Sequence, residues 1–252
     1  MAENEHNLKL DNINTAIRDR VKSFAVKLTT DLVNNLESIT ITGSSLTNDF
    51  RAGKSDINSV LVLAKLDLNS LNVLVSISKT MARKKIAAPL LMTKDYIERS
   101  LDVFSIELLD IQLTHETVLG DDPFASLTFA KTDVRLQCER ELKAMLIRLR
   151  HGYIASAGDK RLLRDILIST VIGTVPLLRA MLWLKDVDRP RISQAVLEKA
   201  AGEFSIETDS LIRALKWRNE NIHPGKDETI NAYEPIYETI ERLSLIVDKL
   251  EV

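Results

Sequence analysis

The pattern of hydrophobic positions divides the chain into a first part that mixes helix and strand signals and a second part that is helical throughout. In the first part, apolar residues recur at three- and four-residue spacing over 8–35, which predicts an amphipathic helix. Alternating or continuous apolar runs at 38–42 and 57–63 predict strands. The other elements predicted here are a helix at 70–85, an edge strand at 86–92 that contains Pro89, a helix at 93–101 capped by Thr93, and a strand at 103–111.

The second part shows only helical periodicity. Its helices are predicted at 133–156, 160–185, 193–204, 209–221 and 227–250. The helix at 160–185 is apolar nearly all round, which is typical of the central helix of a bundle. The pattern therefore predicts an α/β (α+β) mixed-sheet domain over residues 1–128 and an all-α, up-and-down helical bundle over residues 129–252.

Composition narrows the class of protein. With 252 residues, 45% of them hydrophobic, the chain can bury two cores, and its net charge of −2 argues against a globally basic nucleic-acid binder. A single cysteine, Cys138, excludes a disulfide framework, and the four histidines show no metal-ligand spacing. The longest uncharged apolar run, 166–178, is too short to span a bilayer, and the polar start is unlike a signal peptide. We expect a cytoplasmic protein without a membrane partner.

The segment 39–63 carries the strongest motif of the chain. A predicted strand leads into Gly43-Ser44, and after eleven intervening residues Asp56-Ile57-Asn58 opens a second strand. A glycine after a strand lets the backbone approach phosphate oxygens, and a helix that starts there offers free N–H groups. Positions i and i+2 of a strand project from one face, where oxygen ligands can hold magnesium together.

This segment resembles the signature of the DNA-polymerase-β-like nucleotidyltransferase superfamily, which includes kanamycin-nucleotidyltransferase-like and minimal nucleotidyltransferases. The resemblance covers about residues 8–125 and implies binding of a nucleoside triphosphate with Mg²⁺ and transfer of a nucleotidyl group to an acceptor hydroxyl. It implies that Gly43, Ser44 and Ser45 hold phosphate. It also implies catalytic, metal-binding carboxylates at Asp56 and at Glu107 of the strand predicted over 103–111, with Asn58 as a weak metal ligand and Asp110 as the alternative acidic ligand. The acceptor, a small molecule or a protein, is left open.

The chain departs from this signature at Asn58, where the resemblance implies a carboxylate. An amide oxygen ligates magnesium weakly and contributes no charge. Two hypotheses therefore stand: an active nucleotidyltransferase, or a catalytically degenerate regulatory or interaction protein that keeps the fold.

A second motif lies near the end of the chain. Residues 218–223 read Arg-Asn-Glu-Asn-Ile-His at the end of a predicted helix, which is similar to the motif of the HEPN family of helical domains. That resemblance implies a metal-independent ribonuclease in which His223 deprotonates a ribose 2′-hydroxyl, Arg218 stabilises the phosphorane, and Asn219 orients either group. The alternative is a histidine favoured at a helix C-terminus by the helix dipole. A nucleic-acid partner is thus left open.

The bundle contains a basic stretch, 131–164, with nine basic and four acidic residues. One interpretation is a solvated helix face with local salt bridges. The other places Arg140, Lys143 and Arg150 opposite a bound triphosphate. The helical domain is also the candidate surface for a homodimer.

Overall fold

The computed structural model describes residues 8–252 and shows an α+β protein, with a small mixed sheet near the N-terminus followed by a helical region. The strands are β1 Leu36–Thr42, β2 Asn58–Leu63, β3 Leu90–Met92 and β4 His115–Leu119. The helices are α1 Thr15–Leu32, α2 Leu68–Arg83, α3 Lys94–Arg99, α4 Ser105–Leu113, α5 Lys131–Ser156, α6 Lys160–Leu184, α7 Ser193–Phe204, α8 Asp209–Glu220 and α9 Lys226–Asp248.

The chain forms two compact units. The first contains the residues up to Leu101 together with Ile111–Thr128, and the second contains Asp102–Asp110 and Phe129–Val252. The segment Asp102–Asp110, which the sequence pattern assigns to the first domain, therefore clusters with the helices. Each unit has its own hydrophobic core.

The sheet of the first unit has the strand order β3-β2-β1-β4. Strand β1 pairs antiparallel with both β2 and β4, and β2 pairs parallel with β3. The short strand β3 lies at the edge of the sheet, which confirms the prediction made from Pro89. The register pairs Thr42 with Asn58 and also with His115, so one end of the sheet brings these three residues into a single row.

Helix α1 covers one face of this sheet. Its side-chain cap is Asn14, which accepts a hydrogen bond from the Ala16 amide at 2.9 Å. The buried side of α1 carries Ile17, Val21, Phe24 and Leu28 at helical spacing, and these pack in one core with apolar residues of β1 and β2. Thr93 caps α3 by accepting a hydrogen bond from the Tyr96 amide, as the sequence predicts.

Helix α6 is the central helix of the second unit and contacts α5, α7, α8 and α9. It has the length and hydropathy of a membrane span, and it is the single such helix within residues 8–252. Since 61% of its most apolar window is buried inside the protein, its hydrophobicity is explained by packing in the bundle. This burial agrees with the prediction of a central bundle helix.

The prediction of a strand over 103–111 is wrong. That segment forms α4, with Ile106 and Leu109 buried three residues apart, and the strand that completes the sheet is β4. A short apolar run is compatible with either a strand or a buried helix, and here contacts with the bundle core decide for the helix.

Candidate functional site

The turn after β1 is a short 3-10 helix, Gly43–Leu46. Gly43 has a φ of +72°, a conformation that favours glycine, and a Cβ added there would lie 3.7 Å from the Asn58 Nδ2 atom. The Gly43 amide donates to the Thr114 carbonyl at 3.1 Å. This particular N–H group therefore joins the turn to the segment before β4 and is engaged inside the protein.

The two serines of the motif differ in their surroundings. Ser45 is fully buried, and its hydroxyl donates to the Thr42 carbonyl at 3.2 Å, so it closes the turn. Ser44 is half-buried, and its carbonyl accepts a hydrogen bond from the Thr47 amide at 3.1 Å. Of the two hydroxyls, that of Ser44 is the more accessible to a ligand.

Asp56 and Asn58 are both exposed, while Ile57 between them is 1% exposed. The Ile57 amide donates to the Lys85 carbonyl at 2.8 Å, which fixes the entry into β2. Alternating exposure places the two polar side chains on the same side of the backbone, as expected for extended chain. Because Thr42 pairs with Asn58, this side lies next to the Gly43 turn.

The other two predicted metal ligands, Glu107 and Asp110, lie on α4 and in the second unit, not on a strand of the sheet. Glu107 accepts a hydrogen bond from the Gln137 side chain at 2.7 Å, and the Gln137 oxygen in turn accepts one from the Ile106 amide. Asp110 forms an ion pair with Arg179 at 2.8 Å. Both carboxylates therefore have partners inside the helical unit that account for their positions.

Two polar residues of β4 escaped the sequence analysis because β4 itself was not predicted. Glu116 pairs with Ile41 in the sheet and accepts a hydrogen bond from Asn12 at 3.1 Å. His115 lies in the row of Thr42 and Asn58. The segment HETVL has three polar residues followed by two apolar ones, so it carries no alternating pattern from which a strand could be predicted.

His115 is held from both ring nitrogens. Its Nδ1 lies 3.0 Å from the Ile111 carbonyl, and its Nε2 lies 2.8 Å from a carboxylate oxygen of Asp122. Burial opposes ionisation of Asp122, but hydrogen bonds from His115 and from the Phe124 amide outweigh it and lower the pKa of this carboxyl. Both ring nitrogens of His115 thus contact oxygen atoms, which fixes the orientation of the ring.

The oxygen-bearing side chains of the motif in the first unit are potential magnesium ligands. Asp56 supplies one carboxylate and Asn58 one amide oxygen at the same edge, which suits a single Mg²⁺ that takes its remaining ligands from water and phosphate. Within residues 8–252 no group of three or more His, Cys, Asp or Glu side chains could hold a metal ion. The motif itself supplies one carboxylate, Asp56, where the nucleotidyltransferase signature has two.

The motif at 218–223 does not lie on one helix. Helix α8 ends at Glu220, Asn221 adopts a left-handed conformation, and His223 follows outside the helix. Arg218 is exposed on α8, whereas the polar contact of His223 is with the Arg164 guanidinium on α6. His223 thus lies beyond the end of α8, as the predicted helix bounds 209–221 imply, and a ribonuclease acting through Arg218, Asn219 and His223 stays a prediction.

In the basic stretch, Lys143 forms ion pairs with Glu139 and Asp248, and Arg140 lies 3.8 Å from Glu141. The hydrogen bond with Glu139 raises the pKa of Lys143. Arg150 instead donates to the Tyr237 hydroxyl at 2.8 Å. The local salt bridges are those of a solvated helix face.

Comparison of the chain with protein-family models and with curated proteins finds no match. Its function is therefore argued from its own residues.

Proposed function

We propose that the first unit is a sheet of the nucleotidyltransferase type that binds a nucleoside triphosphate with one Mg²⁺ ion, and that the protein is a nucleotide-responsive regulatory or interaction protein, not a two-metal transferase. The observation that carries this proposal is the pairing of Thr42 with Asn58. It brings the Gly43 turn and the two exposed oxygen-bearing side chains, Asp56 and Asn58, to one end of β1 and β2.

In this proposal Asp56 and Asn58 would hold the ion together with the nucleotide, because Mg²⁺ in protein–nucleotide complexes is held by few side chains plus phosphate. The Ser44 hydroxyl and the turn that contains it lie on the phosphate side. Magnesium would supply charge neutralisation of the triphosphate. A single carboxylate does not hold the second metal ion of a two-metal centre, which is needed to activate the attacking hydroxyl. The donor set therefore favours nucleotide binding over nucleotidyl transfer.

The proposal is tested by calorimetric titration of the full chain with ATP, GTP, CTP and UTP, each with and without Mg²⁺. We expect at least one of these nucleotides to bind in a magnesium-dependent manner, and Asp56→Asn to weaken that binding by about tenfold or more, since a charged ligand is lost. Asp19→Asn removes the same charge from the exposed face of α1 and serves as the matched control. No saturable heat in the wild type, or equal affinity in Asp56→Asn, would contradict the proposal.

The contribution of Asn58, the uncharged ligand of the proposed magnesium site, is tested separately with the variant Asn58→Asp. A second carboxylate at this position is expected to tighten magnesium-dependent nucleotide binding, because it adds charge at a hard-cation site. Release of pyrophosphate is measured in parallel with a range of acceptors. Pyrophosphate release by the wild type that disappears in Asp56→Asn would show that the protein is a transferase after all.

A further inference from the structure

A cavity of about 410 Å³ lies in the helical unit, at the start of α6 and beside the connection between α8 and α9. Its lining consists of Lys160, Arg161, Arg164, His223 and Pro224. Four of these five residues carry cationic or imidazole side chains and none carries a carboxylate. The volume falls in the range of small-molecule binding sites.

Arg164 is fixed in this cavity by its neighbours. Its Nε and Nη2 atoms donate to one oxygen of Asp165 at 2.9 and 2.7 Å, and its Nη1 atom donates to the His223 Nδ1 atom. A guanidinium has only donors, so in this contact the His223 Nδ1 atom is the acceptor. The result is a cation in a defined orientation, with its side chain 20% exposed.

Lys160 and Arg161 add positive charge without a comparable partner. In the described part of the chain neither forms a salt bridge, although Arg161 acts electrostatically on Asp159, the N-cap of α6. Two other cations of the unit, Lys131 and Lys185, lie against the carboxylates of Asp186 and Glu203. Lys160 and Arg161 lack such a partner and stand beside Arg164, so an anion in the cavity would offset the repulsion among these three cations.

We propose that this cavity binds the phosphate group of a small phosphorylated molecule, without a metal ion. Arg164 offers oriented guanidinium donors that suit phosphate oxygens, and Lys160 and Arg161 supply charge. The site is distinct from the magnesium–nucleotide site of the first unit. A small ligand is favoured over nucleic acid because the chain has a net charge of −2, whereas a nucleic-acid backbone calls for an extended basic surface.

The proposal is tested by titrating the full chain with pyrophosphate in EDTA, which removes the metal that the nucleotide site requires. We expect saturable binding that Lys160→Gln and Arg161→Gln each weaken by about tenfold. Arg148→Gln, on the exposed face of α5 in the same unit, removes the same charge outside the cavity and is expected to bind like the wild type. Absence of saturable binding in the wild type, or an equal loss in Arg148→Gln, would overturn the proposal.

Two further readouts separate a binding role from a structural one and identify the source of the phosphate. Thermal unfolding of Arg161→Gln is expected at the wild-type temperature or above it, because removing one of several gathered cations reduces repulsion. Inorganic phosphate, pyrophosphate and nucleoside monophosphates are compared in EDTA, and the tightest identifies the class of small ligand. A single-stranded RNA that binds more tightly than all of them, and loses that affinity in Arg161→Gln, would overturn the assignment to a small molecule.

Discussion

At the scale of single residues, the paired side chains of His115 and Asp122 hold β4 to the segment that follows it. Asp122 accepts hydrogen bonds from the His115 ring at 2.8 Å and from the Phe124 amide at 2.9 Å. The ring of His115 also meets the buried ring of Phe124 edge-on, with centroids 5.7 Å apart. A side-chain hydrogen bond to a carboxylate, a backbone hydrogen bond to the same carboxylate and an aromatic contact thus stabilise the same short stretch of chain.

This pair predicts a dependence of stability on pH. The pKa of Asp122 is lowered below its ordinary value of 3.8 in the folded protein, so its contribution to stability is present above that value and is lost as the pH falls through the lowered pKa. Asp122→Asn is therefore expected to be less stable than the wild type at pH 7, with the difference shrinking as the pH falls below 3.8. Urea unfolding followed by far-UV circular dichroism at several pH values measures it.

The neighbouring exposed carboxylate provides the control for that experiment. Asp121→Asn removes the same charge one residue away. It is expected to match the wild type at neutral pH. A difference in stability between wild type and Asp122→Asn that stays constant from pH 7 to below pH 3.8 would argue against stabilisation by the ionised Asp122 carboxylate.

Cys138 gives a second prediction at this scale. The thiol is fully buried on α5, and this burial, together with the nearby Glu107 carboxylate, raises its pKa to about 12. Because the thiolate is the reactive form, the native protein is expected to react with a disulfide reagent such as DTNB far more slowly than the urea-unfolded chain, which should release one equivalent. Rapid stoichiometric labelling of the native protein would show that this side of α5 opens readily.

At the scale of elements, α4 and β4 show where local pattern is insufficient. The run VFSIELLDI has the composition of a strand, yet it forms a helix whose residues Ile106 and Leu109 enter the bundle core. Gln137 from α5 accepts a hydrogen bond from the Ile106 amide at 2.9 Å, which satisfies a backbone donor near the start of α4. A side chain 31 residues away in sequence thus helps to decide the local conformation.

The residue that follows β4, Gly120, has a backbone conformation and a close contact that both favour glycine. Gly120 has a φ of +76°, and a Cβ added there would lie 2.1 Å from the Glu37 carbonyl oxygen. Gly53 has a similar φ of +78°, but an added Cβ meets no heavy atom within 4 Å. A substitution at Gly53 therefore introduces backbone strain alone, whereas a substitution at Gly120 introduces backbone strain and a steric clash.

Substitution of these glycines is expected to differ in cost. Gly53→Ala should lower the free energy of unfolding by about 1–2 kcal/mol, the cost of a left-handed conformation in a residue with a Cβ. Gly120→Ala should cost more, because the β1–β4 edge must also move. Urea unfolding of both variants makes the comparison, and equal costs would mean that the edge shifts without resistance.

At the scale of the whole molecule, two separate cores stabilise the chain. The core of the first unit lies between α1 and the sheet, and that of the second lies around α6. Helix α6 is buried on most of its surface, with residues such as Leu167 and Val171 fully enclosed, while Leu162 near its start is 45% exposed. The same helix thus offers buried and exposed leucines for comparison.

We expect Leu167→Ala to lower the free energy of unfolding of the helical unit by about 2–5 kcal/mol, since it removes buried contacts and leaves a cavity. Leu162→Ala, the same truncation at an exposed position of α6, should cost about 1 kcal/mol or less. Both tryptophans, Trp183 and Trp217, belong to this unit, so tryptophan fluorescence during urea unfolding reports it directly. Equal costs for the two substitutions would contradict the central position of α6.

The sequence by itself determined those elements that have a long or regular apolar pattern. The helices at 133–156 and 160–185, the two inner strands and the edge position of the Pro89 segment are all present in the structure. It also determined that the Gly43 turn and Asn58 lie side by side, because a strand, a turn and a returning strand bring their ends to one place. These are consequences of short-range geometry, which periodicity records.

Only the tertiary structure decided the secondary structure of residues 103–119 and the polar contacts of His115 and His223. Glu107 and Asp110 were assigned to a strand, but burial of their apolar neighbours in the bundle makes the segment a helix. His223 meets Arg164, 59 residues away, and His115 meets Asp122 across a loop. Contacts between distant residues leave no periodic signal in a single sequence, because packing and charge pairing depend on which surfaces the folded chain brings together.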